Sequence, residues 1–598
     1  MGCCSSKFLL TNETKNIKKY VQNNITEEIE RNETNENKID YRNKINLIYS
    51  VKTQVLESIL GYEFYKNNKD KLELILNDKL SFSNYRCELE EGENKVTIII
   101  KEKLADLSFM FSECSSLKDI TELKYLDVSE IKSFAFMFNG CLLLSDIKAL
   151  ESWNVSSSNN FGYMFSFCES LLDIKPLEKW NVSNSISFGG MFSGCKLLSD
   201  IKPLEKWNVS NGNYFREIFS GCKSLSEISP LQKWNVYNCN DFTDFFKGCK
   251  SLSDLKALKN WDVSKSEMFT SMFSGCTLLC DINVLKNWNV SNCEKFGYMF
   301  SECSSLLDIK PLENWNVSKG KNLEYMFYKC TSLSDIRALK SWNVSNSVKF
   351  RYMFSGCVSL PNIKGLDNWN VSNSSNFENM FNECHLLSDI KALKNWDVSK
   401  GNNFEFMFNK CTSLSDLKAL ENWDVSKVEK FKNMFSDCSS LSDITALKNW
   451  NFSNCKDFSY IFNNCKSLSN VNGSENWDVS NGEKFTSMFR GCSSLSDIKA
   501  LENWNVSNCK DFTQMFSYCS SLSDIKPLEK WNVSNSISFL GMFYNCASLS
   551  DIKPLEKWNV SKGKYFSGMF DRCPPLLDLK PIQIWNVSED KLKFKIYI

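Results

Sequence analysis

The chain has 598 residues, of which 42% are hydrophobic, and its 71 basic and 71 acidic residues give a formal net charge of zero. This balance gives no electrostatic reason to expect nucleic acid or an anionic surface as the main partner. No run reaches the roughly 18 consecutive apolar residues of a membrane-spanning helix. The apolar FLL at residues 8–10 is too short for the core of a signal peptide.

The chain begins MGCCSSKFLL, and residues 1–10 contain a lipidation signal. Met-Gly-x-x-x-Ser matches the N-myristoylation pattern, with Gly2 as the acylated residue and Cys3 and Cys4 as sites for palmitoylation. One myristoyl chain binds a membrane only marginally, so the adjacent thiols supply the second signal. A bacterial lipoprotein cysteine needs a preceding apolar stretch, and only two residues precede Cys3. We therefore expect a lipid anchor on the cytoplasmic face of a membrane, in a eukaryotic-type host.

Two segments of different character follow the signal. Residues 11–46 are rich in Asn, Lys and Glu and poor in apolar residues, which predicts a flexible tether. Residues 47–102 contain LIYSVKTQVLESIL, LELIL and KVTIIIKEKL, which predict a helix and short strands. Because a solenoid needs closed ends, this second segment is expected to cap the first coil. An activity of its own within residues 47–102 stays open.

A strict 27-residue repeat occupies most of the remaining chain. Tryptophan recurs every 27 residues from Trp153 to Trp585, which accounts for all 17 tryptophans. Eighteen of the 26 cysteines keep the same interval, from Cys114 to Cys573. A constant interval of this kind is typical of a solenoid, in which each unit stacks only on its neighbours.

The unit that begins at Cys492 reads CSSLSDIKALENWNVSNCKDFTQMF. Its apolar residues lie three apart from Cys492 to Trp504, which is typical of a leucine-rich coil with a short strand near LSDIKAL. A turn is expected at NVSN. Phe512 and the apolar residues three, four and seven positions later predict a helix of two turns. Each unit is therefore predicted to be an α/β coil.

The recurring MFSGCKSLSDIKPLEKWNVS resembles the BspA-like class of leucine-rich repeat in its MF, C, SL, I and W positions. The resemblance covers residues 103–588, with Leu126 in place of the first tryptophan. It implies a right-handed parallel leucine-rich-repeat-like α/β solenoid of about 18 coils, binding roles that are often at cell surfaces, and no catalytic activity. Residues 589–598 end in KLKFKIYI, whose alternation predicts a C-terminal capping strand.

Twelve units carry Asn-(Val or Phe)-Ser after the tryptophan, a sequence that accepts N-glycans only in the secretory lumen. Four units carry aspartate instead of asparagine, which keeps the side-chain oxygen but cannot be N-glycosylated. An Asx turn explains both residue types. The aspartates are Asp262, Asp397, Asp424 and Asp478.

The periodic cysteines fall within the apolar stripe, so they predict a column of buried, reduced thiols. Zinc is not expected, because no CxxC pair accompanies them and the single histidine, His385, is predicted to be a solvated surface residue. Calcium between the recurring aspartates is disfavoured, because one carboxylate enters per coil and a lysine adjoins it. We expect no metal, no cofactor and no catalytic residue.

One unit departs from the pattern at SLSNVNGSENW. Asn470 replaces the usual aspartate, and Ser474 replaces a leucine that elsewhere fills the core. The sequence therefore predicts a locally soft coil. Whether it is a functional hinge or a tolerated defect stays open.

The function expected from these features is a membrane-tethered, non-catalytic interaction platform, with a cell-surface adhesin as the alternative. The partner is expected to be a protein or a repetitive polymer, because the SDIKAL and SDIKPL segments repeat almost unchanged. The variable turns after NVS are the alternative binding edge. The candidate binding face, here named the Asp–Lys face, consists of Asp308, Lys310, Asp335, Arg337, Asp389, Lys391, Asp416 and Lys418.

Overall fold

The computed structural model describes residues 43–576, 578 and 580–585. An N-terminal cap precedes the repeats. Its elements are β1 (Asn43–Val51), β2 (Val55–Ser58), α1 (Tyr62–Asn68), a 3₁₀ turn (Lys69–Lys71), β3 (Leu72–Leu76), β4 (Leu80–Phe82), β5 (Arg86–Leu89) and β6 (Gly92–Ile100), and β7 (Leu117–Asp119) follows in the first coil. The strands form a five-stranded sheet in the order β4-β3-β6-β1-β7 and a separate pair, β2-β5.

The cap begins earlier and contains less helix than the sequence predicted. Strand β1 starts at Asn43, so the predicted tether extends four residues too far. The segment LIYSVKTQVLESIL, predicted as a helix, forms most of β1 and all of β2. Alternate residues from Ile45 to Val51 are buried. This period of two belongs to a strand with one face on the core, and it was readable in the sequence.

The cap contacts the first coil through main-chain pairing and a polar cluster. Strand β1 lies antiparallel to both β6 and β7, with Tyr49 opposite Leu117. The backbone N–H of Asn46 donates to Glu122 Oε2 at 2.7 Å, and Asn46 Nδ2 donates to Glu122 Oε1 at 2.9 Å. The Thr97 hydroxyl donates to Asn46 Oδ1 at 2.7 Å. These contacts cover the open edge of the first coil, which would otherwise expose unpaired backbone groups.

Beyond the cap, each coil lies on the next with a constant offset in the chain. An unbroken series of isolated parallel bridges, from Ser133 to Tyr565, joins residues that are 27 apart. Each unit therefore makes one turn and returns one layer further on. The predicted repeat solenoid is confirmed.

The core consists of columns of equivalent side chains that run from layer to layer. The predicted inward residues of the Cys492 unit are all buried. Trp504 and Trp531 stack with ring centroids 6.4 Å apart. The indoles also hold the main chain: Trp342 Nε1 donates to the Leu312 carbonyl, in the preceding layer, at 3.0 Å. Each tryptophan thus contributes both buried area and an interlayer hydrogen bond.

The predicted helix from Phe512 to Cys519 is wrong. The segment is a series of turns in which Gln514 and Tyr518 adopt left-handed φ angles of 55° and 64°. Alternate amides donate to the next layer: Phe512 to Ser538, Gln514 to Leu540, Phe516 to Met542 and Tyr518 to Tyr544. The amides of Met515 and Ser517 donate to carbonyls three residues earlier, and the Thr513 amide donates to Asp511 Oδ1. This backbone turns the same four apolar side chains inward as a helix would, which is why the spacing misled.

The predicted strand near LSDIKAL is also reduced in the structure. Only isolated bridges, such as Asp308 with Asp335, form at the aspartate, and a 3₁₀ turn follows at once. These turns are Thr121–Tyr125, Lys148–Ser152, Lys175–Leu177, Lys202–Lys206, Ser229–Lys233, Lys256–Asn260, Asn283–Asn287, Lys310–Leu312, Arg337–Ser341, Lys391–Asn395, Lys418–Leu420, Thr445–Leu447, Lys499–Leu501, Lys526–Leu528 and Lys553–Lys557. A short helix α2 (Lys580–Ile584) follows the last of them.

Among the described coils, two have neither this 3₁₀ turn nor a helix in its place, where the sequence singled out only one. Gly365 and Gly473, at φ 120° and 98°, stand where most other units have alanine or proline. A Cβ on Gly365 would lie 2.2 Å from the Ile336 carbonyl oxygen of the preceding layer, so the backbone approaches too closely for a side chain. In the second of these coils Ser474 is fully buried, and its hydroxyl donates to the Val471 carbonyl at 2.8 Å.

Candidate interaction surfaces

The predicted lipidation residues Gly2, Cys3 and Cys4 lie outside the described residues, as does the predicted C-terminal strand at 589–598. The eight residues of the Asp–Lys face lie inside. All are exposed except Asp389, which is half-buried. They occupy two pairs of adjacent coils, and the coil between the pairs contributes Asn362 and Lys364 at the same positions.

Each aspartate of this face holds the backbone of its own coil. Asp308 Oδ1 accepts the Lys310 amide at 2.7 Å, and Asp335 Oδ1 accepts the Arg337 amide at 2.9 Å. The other two make the same bond, at 3.0 Å for Asp389 and 2.7 Å for Asp416. One oxygen per carboxylate is therefore bonded to the backbone amide of the first residue of the 3₁₀ turn, which is the basic residue of the face.

The basic side chains of the face make fewer contacts to the protein than its carboxylates do. Of the four basic residues of the face, all of which the structure describes, only Arg337 has a short contact to the aspartate of its own coil. Its Nη2 lies 2.6 Å from Asp335 Oδ2. This side-chain hydrogen bond lowers the pKa of Asp335. Both partners are exposed, so the pair adds little stability.

The periodic cysteines form the buried column that the sequence predicted. Cys492 is fully buried, and its thiol donates to the Phe462 carbonyl at 3.1 Å. Burial raises its pKa to about 12, which keeps it protonated and unreactive. His385 is half-buried, with Nδ1 3.0 Å from the Lys410 carbonyl oxygen. In the described part of the chain no three histidine, cysteine or acidic side chains are arranged to hold a metal ion.

The predicted Asx turns after tryptophan are confirmed for both residue types. Asn343 Oδ1 accepts the Ser345 amide at 3.1 Å, and Asp397 Oδ1 accepts the Ser399 amide at 3.0 Å. The side chain of Ser399, and after it the backbone amide of Ser399, hydrogen-bond to the Asp397 carboxylate and lower its pKa. The asparagines of these units therefore have a structural role that needs no glycan.

A row of aromatic side chains lies on the left-handed turns and was not predicted from the sequence. Tyr298, Tyr325 and Tyr352, here named the tyrosine ladder, stack with centroids 4.3 and 4.5 Å apart. Tyr328 packs edge-on against Tyr325 at 5.5 Å and against Tyr352 at 6.0 Å. Tyr298 is 38% exposed. The 27-residue spacing of these three tyrosines was the signal that could have identified them.

A charged row lies beside the tyrosine ladder. Arg351 binds Glu378 through two nitrogens, at 3.0 and 3.1 Å, and lies 3.9 Å from Glu324. All three side chains are more than half buried. Glu324, Arg351 and Glu378 occupy the same position of the repeat, where other coils mostly carry serine, threonine or glycine. These central coils thus combine tyrosine with arginine, two residue types that are enriched in protein interfaces.

Stacked layers, buried columns and repeated outward side chains together define a solenoid repeat protein. Residues 105–228, 172–283, 251–363, 281–391, 358–474, 385–500 and 496–594 match the family DUF285, described as "Mycoplasma protein of unknown function". These matches span most of the chain, so the chain belongs to this family.

One solved structure is similar to this chain at low sequence identity. A leucine-rich cell surface protein from Faecalibacterium prausnitzii is similar at 13% identity over 59% of this chain and 81% of that chain, with a TM-score of 0.22. A TM-score this low gives no support for a shared fold or function. No curated protein matches the chain. Among the described residues, no helix has the length and apolar character needed to cross a membrane.

Proposed function

We propose that this protein is a non-catalytic interaction platform of the BspA-like leucine-rich-repeat type, a right-handed solenoid of about 18 coils. Its partner is a protein or a repetitive polymer that binds the Asp–Lys face. The observation that carries the proposal is the aspartate–amide hydrogen bond of each coil, which fixes a charged residue at the same place in successive layers. Several weak, equally spaced contacts then add to a useful avidity.

We also propose that acyl chains on Gly2, Cys3 and Cys4 attach this platform to the cytoplasmic face of a membrane. The complete Met-Gly-x-x-x-Ser pattern supports this anchor. The alternative is a cell-surface adhesin. It draws support from the description of the family as a Mycoplasma protein, because myristoylation implies a eukaryotic-type host. Location and binding face are separate hypotheses and need separate tests.

The binding face is tested by removing its charge without removing its hydrogen bonds. In the test variant the four aspartates become asparagine and the four basic residues become glutamine. Asn362 and Asn470 already make the same hydrogen bond to the amide two residues later, at 3.2 and 3.1 Å, in coils that stack without the 3₁₀ turn, so the stacking of the layers is expected to survive even if that turn is lost. Proteins and polymers that co-purify with the full-length chain after cross-linking are then quantified. The variant should lose the partners that the wild-type chain retains.

A variant of the tyrosine ladder provides the matched comparison. Tyr298, Tyr325 and Tyr352 are replaced by serine, which Ser271 and Ser487 supply at the same position in other coils. If the partners are lost from this variant and kept by the charge-neutral one, the Asp–Lys face is the wrong surface. Loss from a variant with exchanged turns after NVS, and from no other, would favour the turn edge instead.

A further inference from the structure

A polar groove of about 340 Å³ crosses four successive layers near the C-terminal end of the solenoid. It lies on the turn side of the coils, and its lining includes Lys466, Arg490, Gly491, Ser493, Tyr518 and Asn545. We propose that this basic groove binds an anionic oligosaccharide, that is, hydroxylated sugar rings that carry carboxylate or sulfate groups. The proposal does not depend on the Asp–Lys face, which is formed by other residues.

The charge of the groove favours an anionic ligand. Lys466 and Arg490 line it, and no acidic residue does. In most other coils the position of Arg490 holds serine or asparagine, so the guanidinium is a local departure from the repeat. Its Cζ lies 5.2 Å from the centroid of the Tyr518 ring, which holds the guanidinium at the groove. Arginine in such a fixed orientation can donate two hydrogen bonds to one oxyanion.

The shape of the groove depends on a close approach between Gly491 and the preceding layer. Gly491 has φ 73° and stands one layer before Tyr518, in a column where glycine recurs and the neighbouring coils carry Asn464 and Tyr518. A Cβ there would lie 2.1 Å from Asn464 Oδ1, so the Asn464 amide lies against the glycine and occupies the space that a side chain at position 491 would need. Tyr544 packs edge-on against Tyr518 at 5.3 Å and restrains that ring.

The remaining lining favours a sugar over a bare ion. Serine hydroxyls and asparagine amides can both donate and accept hydrogen bonds, as sugar hydroxyls do. The Tyr518 ring, 36% exposed, adds an apolar surface. Three interlayer steps of about 4.8 Å give the groove a length of about 14 Å, which suits a chain of several rings. A single sulfate or phosphate would contact only one part of it.

The test is calorimetric titration of the full-length protein with three probes. A hyaluronan tetrasaccharide supplies carboxylated rings, fully N-acetylated chitotetraose supplies neutral rings of similar size, and sodium sulfate supplies the anion alone. The hyaluronan fragment should bind, with an affinity that falls as salt is added. Chitotetraose and sulfate should each bind at least tenfold more weakly. Equal binding of chitotetraose, or no binding of the fragment at millimolar concentration, would overturn the proposal.

Variants then assign the binding to the groove. Arg490→Ser restores the residue found most often in that column and should weaken binding at least tenfold. Gly491→Asn keeps the charge but displaces the Asn464 amide from the groove lining, and it should weaken binding to a similar degree. Lys247→Ser is the control, because Lys247 occupies the same column in a distant coil and pairs there with Asp244 at 3.2 Å. Binding that is reduced equally by the control, or unchanged by Arg490→Ser, would place the ligand elsewhere.

Discussion

Left-handed turn residues are the most unusual local feature of this protein. Two positions per coil, those of Gln514 and Tyr518, adopt positive φ angles, and many coils place a side chain there. A residue with a Cβ pays roughly 1–2 kcal/mol for this conformation relative to glycine. The interlayer hydrogen bonds from the same residues offset that strain, since their amides donate to the next coil. Substitution by glycine should therefore stabilise selected coils.

Ser487 is the position where substitution by glycine should stabilise a coil most. It has φ 54°, it is fully buried, and its hydroxyl has no hydrogen-bond partner among the described residues. Ser487→Gly removes both penalties, and it should raise the local opening free energy by about 1–2 kcal/mol. Hydrogen exchange of amides in residues 480–495 should slow about tenfold. Ser487→Ala is the control, because it removes the hydroxyl alone and should gain less; an equal gain would contradict the role of strain.

The Asx-turn aspartates predict a dependence of stability on pH. Hydrogen bonds from the following serine lower the pKa of Asp262, Asp397 and Asp424 in the folded state. A lowered folded pKa stabilises the fold above the unfolded value near 4, and this contribution is lost as the pH falls through the folded pKa. The three carboxylates are mostly exposed, so the effect is small.

The triple variant Asp262→Asn, Asp397→Asn, Asp424→Asn keeps the turns but does not titrate. It should have a slightly lower melting temperature at pH 7 and lose less on acidification to pH 3 than the wild type. Asn343→Asp is the reciprocal control and should increase the loss. If all three proteins follow the same curve of melting temperature against pH, the aspartate hydrogen bonds do not contribute.

At the scale of the elements, the buried columns were predictable and the backbone between them was not. The 27-residue interval of tryptophan and cysteine identifies the inward residues directly. The apolar spacing after Phe512 fits both a helix and a series of turns. The sequence did contain the deciding signal, since glycine precedes the cysteine in units such as Gly221, Gly248 and Gly275, and repeated glycine there disfavours a helix interior.

The candidate surfaces were less predictable than the core. The sequence places the Asp–Lys face at the surface, but only the structure shows that one aspartate oxygen is used by the backbone. The basic groove brings together Lys466, Arg490 and Tyr518 from three units. No sequence interval marks such a site, because it arises from departures from the repeat in adjacent layers.

The tryptophan column predicts a strong but confined effect of a core mutation. Trp342 is buried, stacks on Trp315 at 6.5 Å and donates its indole N–H to Leu312. Trp342→Ala should cost about 3–5 kcal/mol. Because each coil contacts only its neighbours, hydrogen exchange should accelerate within residues 315–369 and remain unchanged in the cap. Trp342→Leu, the residue type present at Leu126, should have a smaller effect; acceleration throughout the chain would contradict nearest-neighbour stacking.

The whole solenoid should open first at its irregular coils. Residues 362–368 and 470–476 both lack the 3₁₀ turn, but the first retains Leu366 in the core and the second has Ser474. The missing apolar contact makes the second coil the weaker one, so its amides should exchange fastest among the described coils. Ser474→Leu should slow that exchange toward the rate of residues 362–368. Equal rates in all coils would refute the predicted soft coil.

The location of the whole molecule is decided by its first residues, so the last prediction concerns them. Gly2→Ala removes the myristoylation site and should move the full-length protein from membranes to the soluble fraction when it is expressed in a eukaryotic cell. Cys3→Ser with Cys4→Ser should leave weak, reversible attachment, because a single acyl chain binds only marginally.

Ser5→Ala is the control, since position 5 lies outside the required glycine and serine of the pattern. Membrane fractionation that is the same for Gly2→Ala and the wild type would reject the anchor. Cleavage of the repeats by protease added to intact cells would place the solenoid outside, and the adhesin alternative would then explain both results. If the repeats are protected from that protease and Gly2→Ala moves the protein to the soluble fraction, the solenoid lies on the cytoplasmic face, because an acyl anchor in the inner leaflet gives both results.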